Sequence, residues 1–337
     1  MSLTRACIVV GALIALMSSL SAQAADGQDR AVAAGASLIG TAAPPLTLRT
    51  IDGAPIDLRR LYGHKPVYLK FWATWCVPCR QQMPHFEKTY EQRHDELAVI
   101  AVNVGFNDTV ADVETYRDRL GLKMPIVLDD GRLAAALHLR VTPQHIVIGR
   151  DGRILYVGHL VDDHLEKALN AAIAEPAAAP AAALMPAAVR SQAPGESQGP
   201  IAALRITTID GQSMPVVDAD ARGRTVLAFI SPWCESYLAQ SRPEQARACR
   251  VGRESIDAYL QKAPDARVIG IASGLWADRG DVADYLHAHQ LSYPVTVDES
   301  GALFRRFDVR RVPTFVVLDA HGHELSRGAT LGAPPTS

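Results

Sequence analysis

The sequence predicts an α/β protein built as two copies of one fold, each a mixed sheet flanked by helices, with a linker between them. Three observations carry this reading. "TIDG" occurs at Thr50–Gly53 and again at Thr208–Gly211, and in both places the isoleucine stands 25 positions before a cysteine preceded by tryptophan. Other anchors hold the same register: Gly131 to Pro143 and Gly301 to Pro313 are each 12 apart, and Pro143 to Gly152 and Pro313 to Gly322 are each 9 apart. Between the copies, residues 174–200 are rich in Ala, Pro, Ser and Gly and show no periodic apolar face, which is linker composition. Within each copy, strand and helix patterns alternate, the order that produces an α/β sandwich with parallel central strands.

At 337 residues, 48% of them hydrophobic, the chain is long enough for about two domains of roughly 150 residues each. Its net charge of −2 offers no electrostatic case for nucleic acid or an anionic membrane as partner. In chain order, residues 1–24 read as an export signal. Arg5 lies in a short basic start, "ACIVVGALIALMSSL" is apolar, and "AQA" at Ala22–Ala24 offers small residues for cleavage. An uncleaved membrane anchor is the alternative, although the apolar run is short against a span of about 20 residues. Cleavage removes Cys7 and leaves Cys76, Cys79, Cys234 and Cys249, an even number suited to two pairs in an oxidising compartment. Residues 25–43 are expected to be a flexible segment, 44–173 the first domain, and 201–333 the second.

In the first domain, "PVYLKFWA" (66–73) is a short β-branched and aromatic run, hence a buried strand. "RQQMPHFEKTYEQRHDE" (80–96) reads as a helix with Met83, Phe86 and Tyr90 on one face and Pro84 kinking it. "LAVIAVNV" (97–104) is the next strand, and "VADVETYRDRLGL" (110–122) a helix closed by Gly121. "PIVLDD" (125–130), the helix "RLAAALHL" (132–139), "PQHIVIGRDG" (143–152) and "ILYVG" (154–158) complete the unit, with an antiparallel edge hairpin at "GRDGR".

Chemistry concentrates at Cys76-Val77-Pro78-Cys79, which follows a strand and opens a helix. There the first cysteine meets free backbone N–H groups and the positive end of the helix dipole, which stabilise a thiolate and draw its pKa from roughly 8.5 towards 7 or below. Cys76 would attack a substrate disulfide, and Cys79, one turn on, would resolve the mixed disulfide. Zinc would need a second pair of ligands, and this domain has no other cysteine. No cofactor is expected beyond a redox-active disulfide between Cys76 and Cys79. The tryptophans Trp72, Trp75, Trp233 and Trp276 need none, and "HGH" at His321–His323 falls on a hairpin turn, where solvated polar residues belong.

"FWATWCVPCRQQMP" followed by "RVTPQHIVIGRDGRI" resembles the thioredoxin superfamily, and within it the exported TlpA/ResA-like thiol-disulfide oxidoreductases, over residues 44–172. The resemblance implies tandem thioredoxin-like folds, a cis bond before Pro143, and Thr142 offering its backbone to substrate beside Cys76, with Trp75 and Pro78 at the contact surface. It also implies reduction of disulfides in client proteins outside the cytoplasm, with electrons from a membrane thiol donor and maturation of c-type cytochromes or copper sites as a common destination. Two positions depart from the pattern. Thioredoxins carry a buried acid six before the first cysteine, where Lys70 stands here; its charge would either reach the thiolates or snorkel away. The proton acceptor for Cys79 is then unassigned, with Glu87 the weak candidate. Gln144 and His145 follow the proline, and His145 is either an active-site contact or a structural residue.

In the second copy "RRVPTFVVLDAHGHEL" repeats the proline strand, so Pro313 is expected to follow a cis bond. Cys234 aligns with Cys76, but Tyr237 stands where Cys79 should be. Counting back from the next strand places Cys249 within one residue of the resolving position, after an insertion of about 11 residues. On one continuous helix, 15 positions would hold Cys234 and Cys249 roughly 22 Å apart, whereas a disulfide needs Cα atoms within about 7 Å. The pair can bridge only if the insertion loops out and the chain returns, which Ser241-Arg242-Pro243 permits. Cys234 and Cys249 are then a second redox pair, a fixed staple, or two free thiols. Two alternatives to a disulfide reductase stand beside it. A peroxiredoxin-like peroxidase would place threonine three before the attacking cysteine, where Ala73 stands and Thr74 is one residue off. In a client-docking protein the second domain would be a binding module that holds a client or a metallochaperone in a vacant groove beside Pro313, or a structural domain, with the first supplying electrons.

Overall fold

The computed structural model describes residues 26–176, 199–218 and 223–333. The expected signal, Cys7 and most of the expected linker lie outside the described residues. The first half contains α1 (26–35), β1 (Thr47–Arg49), β2 (Pro55–Asp57), α2 (Leu58–Leu61), β3 (Val67–Trp72), α3 (Val77–Arg93), β4 (Ala98–Asn103), α4 (Val110–Leu120), β5 (Ile126–Leu128), α5 (Arg132–Ala136), β6 (Gln144–Ile148), β7 (Ile154–Gly158) and α6 (Asp163–Ala174). The second half runs through β8 (Arg205–Thr207), β9 (Ser213–Pro215), β10 (Thr225–Ile230), α7 (Cys234–Ser241), α8 (Pro243–Lys262), β11 (Arg267–Ser273), α9 (Arg279–Ala288), β12 (Val295–Asp298), α10 (Ala302–Arg306), β13 (Thr314–Leu318) and β14 (Glu324–Gly328).

Each half holds a five-stranded mixed sheet of the same topology, β5-β4-β3-β6-β7 and β12-β11-β10-β13-β14. In the first, β3 runs parallel to β4 and antiparallel to β6; in the second, β10 has the same relations to β11 and β13. The central strands β3 and β10 are buried along their whole length, which is why they read as continuous apolar runs. The repeated "TIDG" closes a small hairpin in front of each sheet. Gly53 and Gly211 both sit at φ 86°, and each N–H returns to the threonine carbonyl at 2.9 Å, a conformation that glycine adopts without steric cost. Thr142–Pro143 and Val312–Pro313 are cis.

The N-terminal segment differs from expectation. Rather than flexible, it carries α1, with Ala31 fully buried, and Gln28 Oε1 accepts from the N–H groups of His159 (2.7 Å) and Leu160 (3.1 Å). Its packing relies on small residues: a side chain at Gly35 would collide with Val157.

In the second half the insertion forms a helical hairpin. α7 ends at Ser241, Arg242 turns the chain, and Pro243 opens α8, where its missing N–H costs nothing. This return brings Cys249 beside Cys234, with Cα atoms 6.2 Å apart and a disulfide between them. By contrast, α3 is a single helix that continues through Pro84. One apolar cluster runs from the first sheet across to the facing side of the second half; a smaller one covers the far face of the second sheet, around Val226, Ala228, Tyr259 and Phe315.

Candidate active site

Cys76 is the N-cap of α3 and is joined to Cys79 by a disulfide, with Cα atoms 5.2 Å apart. Its Sγ accepts from the Cys79 N–H at 3.2 Å, so one free donor of the first helical turn is already directed at this sulfur. The same Sγ lies 3.3 Å from the carbonyl oxygen of Thr142, which places the cis-proline loop against the cysteine pair. Cys76, Cys79 and Thr142 therefore form one cluster, with Pro143 beneath it and Pro78 part-buried in the first turn of α3.

A chain of hydrogen bonds runs under this cluster. The Tyr68 hydroxyl donates to His145 Nδ1 (2.8 Å), and His145 Nε2–H donates to Gln82 Oε1 (2.8 Å). Gln82 Nε2 donates to the His159 carbonyl (3.2 Å), and His159 Nδ1–H donates to the Pro143 carbonyl (2.6 Å). Because Gln82 Oε1 and the Pro143 carbonyl can only accept, His145 carries a proton on Nε2 and His159 on Nδ1. Burial, reinforced by the positive charge of Lys70, holds His145 well below the ordinary histidine value, and burial also lowers His159. The hydrogen bonds of His145 go to Tyr68 and Gln82 and not to either sulfur.

Lys70 does not snorkel. It is fully buried opposite His145, its ammonium nitrogen has no hydrogen-bond partner, and it stands 5.5 Å from the centre of the Phe86 ring. Loss of hydration lowers its pKa to about 7. Nor is Glu87 placed to serve Cys79, because its carboxylate accepts from the Lys123 backbone N–H at 3.0 and 3.1 Å. The outward-turned position of Glu87 on α3 explains this.

Trp75 is not an open contact surface either. Its Nε1 donates to the Phe106 carbonyl (2.8 Å), and its ring is stacked on Trp233 of the second half, with centroids 5.0 Å apart. The Tyr237 hydroxyl accepts from the Val77 N–H at 3.0 Å, and Trp276 Nε1 donates to Thr142 Oγ1 at 3.3 Å. Beside them, Arg242 reaches Asp108 (2.9 Å) and the Asn107 carbonyl (2.8 Å) and also contacts the Thr74 hydroxyl. Asp108 is fully buried and is further satisfied by Thr74 N, Thr74 Oγ1 and Asn103 Nδ2.

The groove expected beside Pro313 is filled. The Val312 N–H donates to Asn107 Oδ1 (3.0 Å), Gln245 donates to the Val312 carbonyl, and α8 approaches so closely that a side chain at Gly252 would strike Pro313. The insertion that returns Cys249 to Cys234 is what brings Gln245 there. Among the described residues no group of three or more His, Cys, Asp or Glu side chains could hold a metal ion.

With this geometry in view, residues 39–157 match the AhpC/TSA family. The thiol-disulfide oxidoreductase ResA of Halalkalibacterium halodurans is 40% identical over 120 residues, which span 35% of this chain and 66% of that protein. The thioredoxin-like protein YneN of Bacillus subtilis is 34% identical over 134 residues, spanning 39% of this chain and 78% of that one. The chain belongs to this thioredoxin-like family of thiol-disulfide oxidoreductases. Among solved structures, a putative thiol:disulfide interchange protein DsbE from Chlorobium tepidum is 26% identical, with a TM-score of 0.37, covering 40% of this chain and 97% of that one.

For this thiol-disulfide oxidoreductase, sequence reasoning located both cysteine pairs and the proline loops but missed Trp233, Tyr237, Arg242 and Trp276 as neighbours of the Cys76 site. One signal was available: Trp233 and Trp75 occupy the same place in the repeat, immediately before a cysteine.

Proposed function

We propose that the first half is an exported reductase of disulfides in client proteins. Cys76 is the attacking sulfur and Cys79 the resolving one. The observation that carries this is the placement of Cys76 Sγ at the N-cap of α3, 3.2 Å from the Cys79 N–H and 3.3 Å from the Thr142 carbonyl. Once reduced, Cys76 carries its negative charge as a thiolate, which the Cys79 N–H and the positive end of the α3 dipole favour. It attacks one sulfur of a client disulfide, forming a mixed disulfide and releasing a client thiolate. Cys79, deprotonated, then attacks Cys76 Sγ; the second client thiolate leaves, and Cys76–Cys79 is oxidised again. Two electrons pass from the dithiol to the client, and the backbone of Thr142 and Pro143 lies where an extended client segment meets the attacking sulfur.

Residues 1–24 support action outside the cytoplasm, where the dithiol must be restored by a membrane thiol donor; no helix among the described residues is itself long and apolar enough to cross a membrane. The family resemblance of the motif region suggests as clients apoproteins that must be kept reduced, such as precursors of c-type cytochromes. A peroxidase would act through Cys76 alone, whereas here Cys76 is paired with Cys79, so the dithiol reading is preferred. Insulin reduction driven by a small dithiol tests the proposal. Cys76→Ser should slow it by about 100-fold or more, and Cys79→Ser should accumulate a mixed disulfide visible by mass spectrometry. Peroxide consumption that survives Cys79→Ser would overturn the assignment.

A further inference from the structure

A thiolate attacks a disulfide along the S–S axis, so a client sulfur must be able to reach Cys76 from outside. In this arrangement it cannot: Cys76 and Trp75 are each 1% exposed and Thr142 is fully buried. What covers them is the second half. Trp233 lies on the Trp75 ring, the Tyr237 hydroxyl takes the first free N–H of α3 from Val77, and Trp276 holds the Thr142 hydroxyl. Each contact engages a group beside the attacking sulfur that a docked client would need.

The interface is also pseudo-symmetric. The Asn107 N–H donates to the Arg310 carbonyl and the Trp276 N–H donates to the Arg140 carbonyl, both at 2.8 Å. Arg140 and Arg310 stand three residues before their cis prolines, while Asn107 and Trp276 have φ of 58° and 57° at matching places after their β4 and β11 strands. The same face of each copy is therefore turned toward the other, as in a two-fold dimer.

We infer that the second half is a resident occupant of the client-docking face of the first, and that this face must open before protein disulfides are reduced. The inference rests on the reading of Cys76 as the client-attacking sulfur. Two features make the contact releasable. A cleft of about 510 Å³, lined by Phe106, Leu139, Arg140, Leu275, Phe304 and Arg310, runs between the halves, where a permanent core would be filled. Much of the polar attachment is at the rim: Arg140 with Glu299, and Arg30 of α1 with Asp278 and Asp281. Arg242 is the inner latch, since it carries a charge from the second half to the buried Asp108. An arriving client competes with Trp233 and Tyr237 for the same surface, so a tight binder is admitted and stray small disulfides are not.

Access can be read without any client. In the full chain with Cys76–Cys79 reduced, Cys76 is alkylated by a maleimide carried on a large polymer. Arg242→Glu sets a like charge against Asp108, and Trp233→Ala with Tyr237→Ala removes the covering rings; each should speed that alkylation, and insulin reduction with it, by about tenfold or more. A lock tests the converse without deleting a contact ring: Arg140→Cys with Glu299→Cys, joined by a short bismaleimide while the native pairs are still disulfides, then reduced. Locking should slow both rates by at least about tenfold. A locked chain whose Cys76 reacts at the unlocked rate overturns the inference. Should opening and locking shift alkylation as expected while no variant reduces insulin, resident occupancy stands and the client-reduction reading falls.

Discussion

At the centre of the first sheet Lys70 stands opposite His145 across the β3–β6 pair; at the matching place in the second sheet Ala228 stands opposite Phe315 across β10–β13. The neighbourhoods follow suit. Tyr68, Gln82 and His159 complete a polar chain beneath the Cys76–Cys79 pair, whereas Val226, Ile256 and Tyr259 surround Ala228 and Phe315 with an apolar cluster. Both halves nevertheless build the same sheet with the same register and the same cis-proline loop. The fold therefore does not require the buried polar groups. Desolvating a lysine and two histidines opposes folding; in the half that keeps them, the two histidines belong to the hydrogen-bond chain that ends on Pro143, and Lys70 is buried beside them without a hydrogen-bond partner.

The comparison breaks most readily by moving its polar centre across. Ala228→Lys would put an ammonium into a face with no polar chain to receive it and no room for its stem. The second half should lose about 3–5 kcal/mol in urea unfolding at pH 7, enough to unfold it separately from the first. A loss below about 1 kcal/mol would mean that this face accepts a buried lysine as readily as the first, and the contrast would carry no functional weight.

Next in size is the covalent difference. Cys76–Cys79 closes a short loop within one helical turn, whereas Cys234–Cys249 encloses the inserted α7 and the return into α8 and constrains the unfolded chain more. Replacing both Cys234 and Cys249 by Ala should destabilise the second half by about 3 kcal/mol, while insulin reduction by the first half continues at no less than its original rate. Activity that instead disappears with this pair, in protein still folded by circular dichroism, would make it a second redox centre rather than a staple.

How much of this was legible in one dimension follows from where the constraints lie. Glycines at positive φ, prolines in cis and paired cysteines are local demands on single positions, so their spacing exposed the repeat. The chain reversal at Arg242 was legible by distance on the condition that Cys234 and Cys249 pair, since a continuous helix of that length cannot close a disulfide. The role of Tyr237 was hidden for the opposite reason. Read as a lost cysteine, it in fact accepts from Val77, 160 residues away, and a surface matched to another surface leaves no period in sequence. Lys70 was misjudged because charged side chains are almost never fully buried without a partner. The alanine-rich α1 was missed because small residues give a weak apolar signal even where they pack closely.

The smallest expected effect isolates Lys70 itself. Burial lowers it from the ordinary lysine value of 10.5 to about 7. Between those values the unfolded chain holds the proton and the folded chain does not, so the free energy of unfolding rises as pH increases, by up to about 1.4 kcal/mol per unit. Below pH 7 both states are protonated and this contribution is flat, leaving the full cost of a buried ammonium. Lys70→Met keeps the stem and removes the charge. At pH 7 the variant should be the more stable protein by about 2 kcal/mol, once relaxation around the ammonium is allowed for, and its advantage should shrink steadily towards pH 10. Urea unfolding of both proteins at several pH values gives the two slopes directly. If the variant were instead less stable at pH 7 and its deficit did not change with pH, Lys70 would be a paired structural cation, and the polar centre of the first half would belong to its fold rather than to its chemistry.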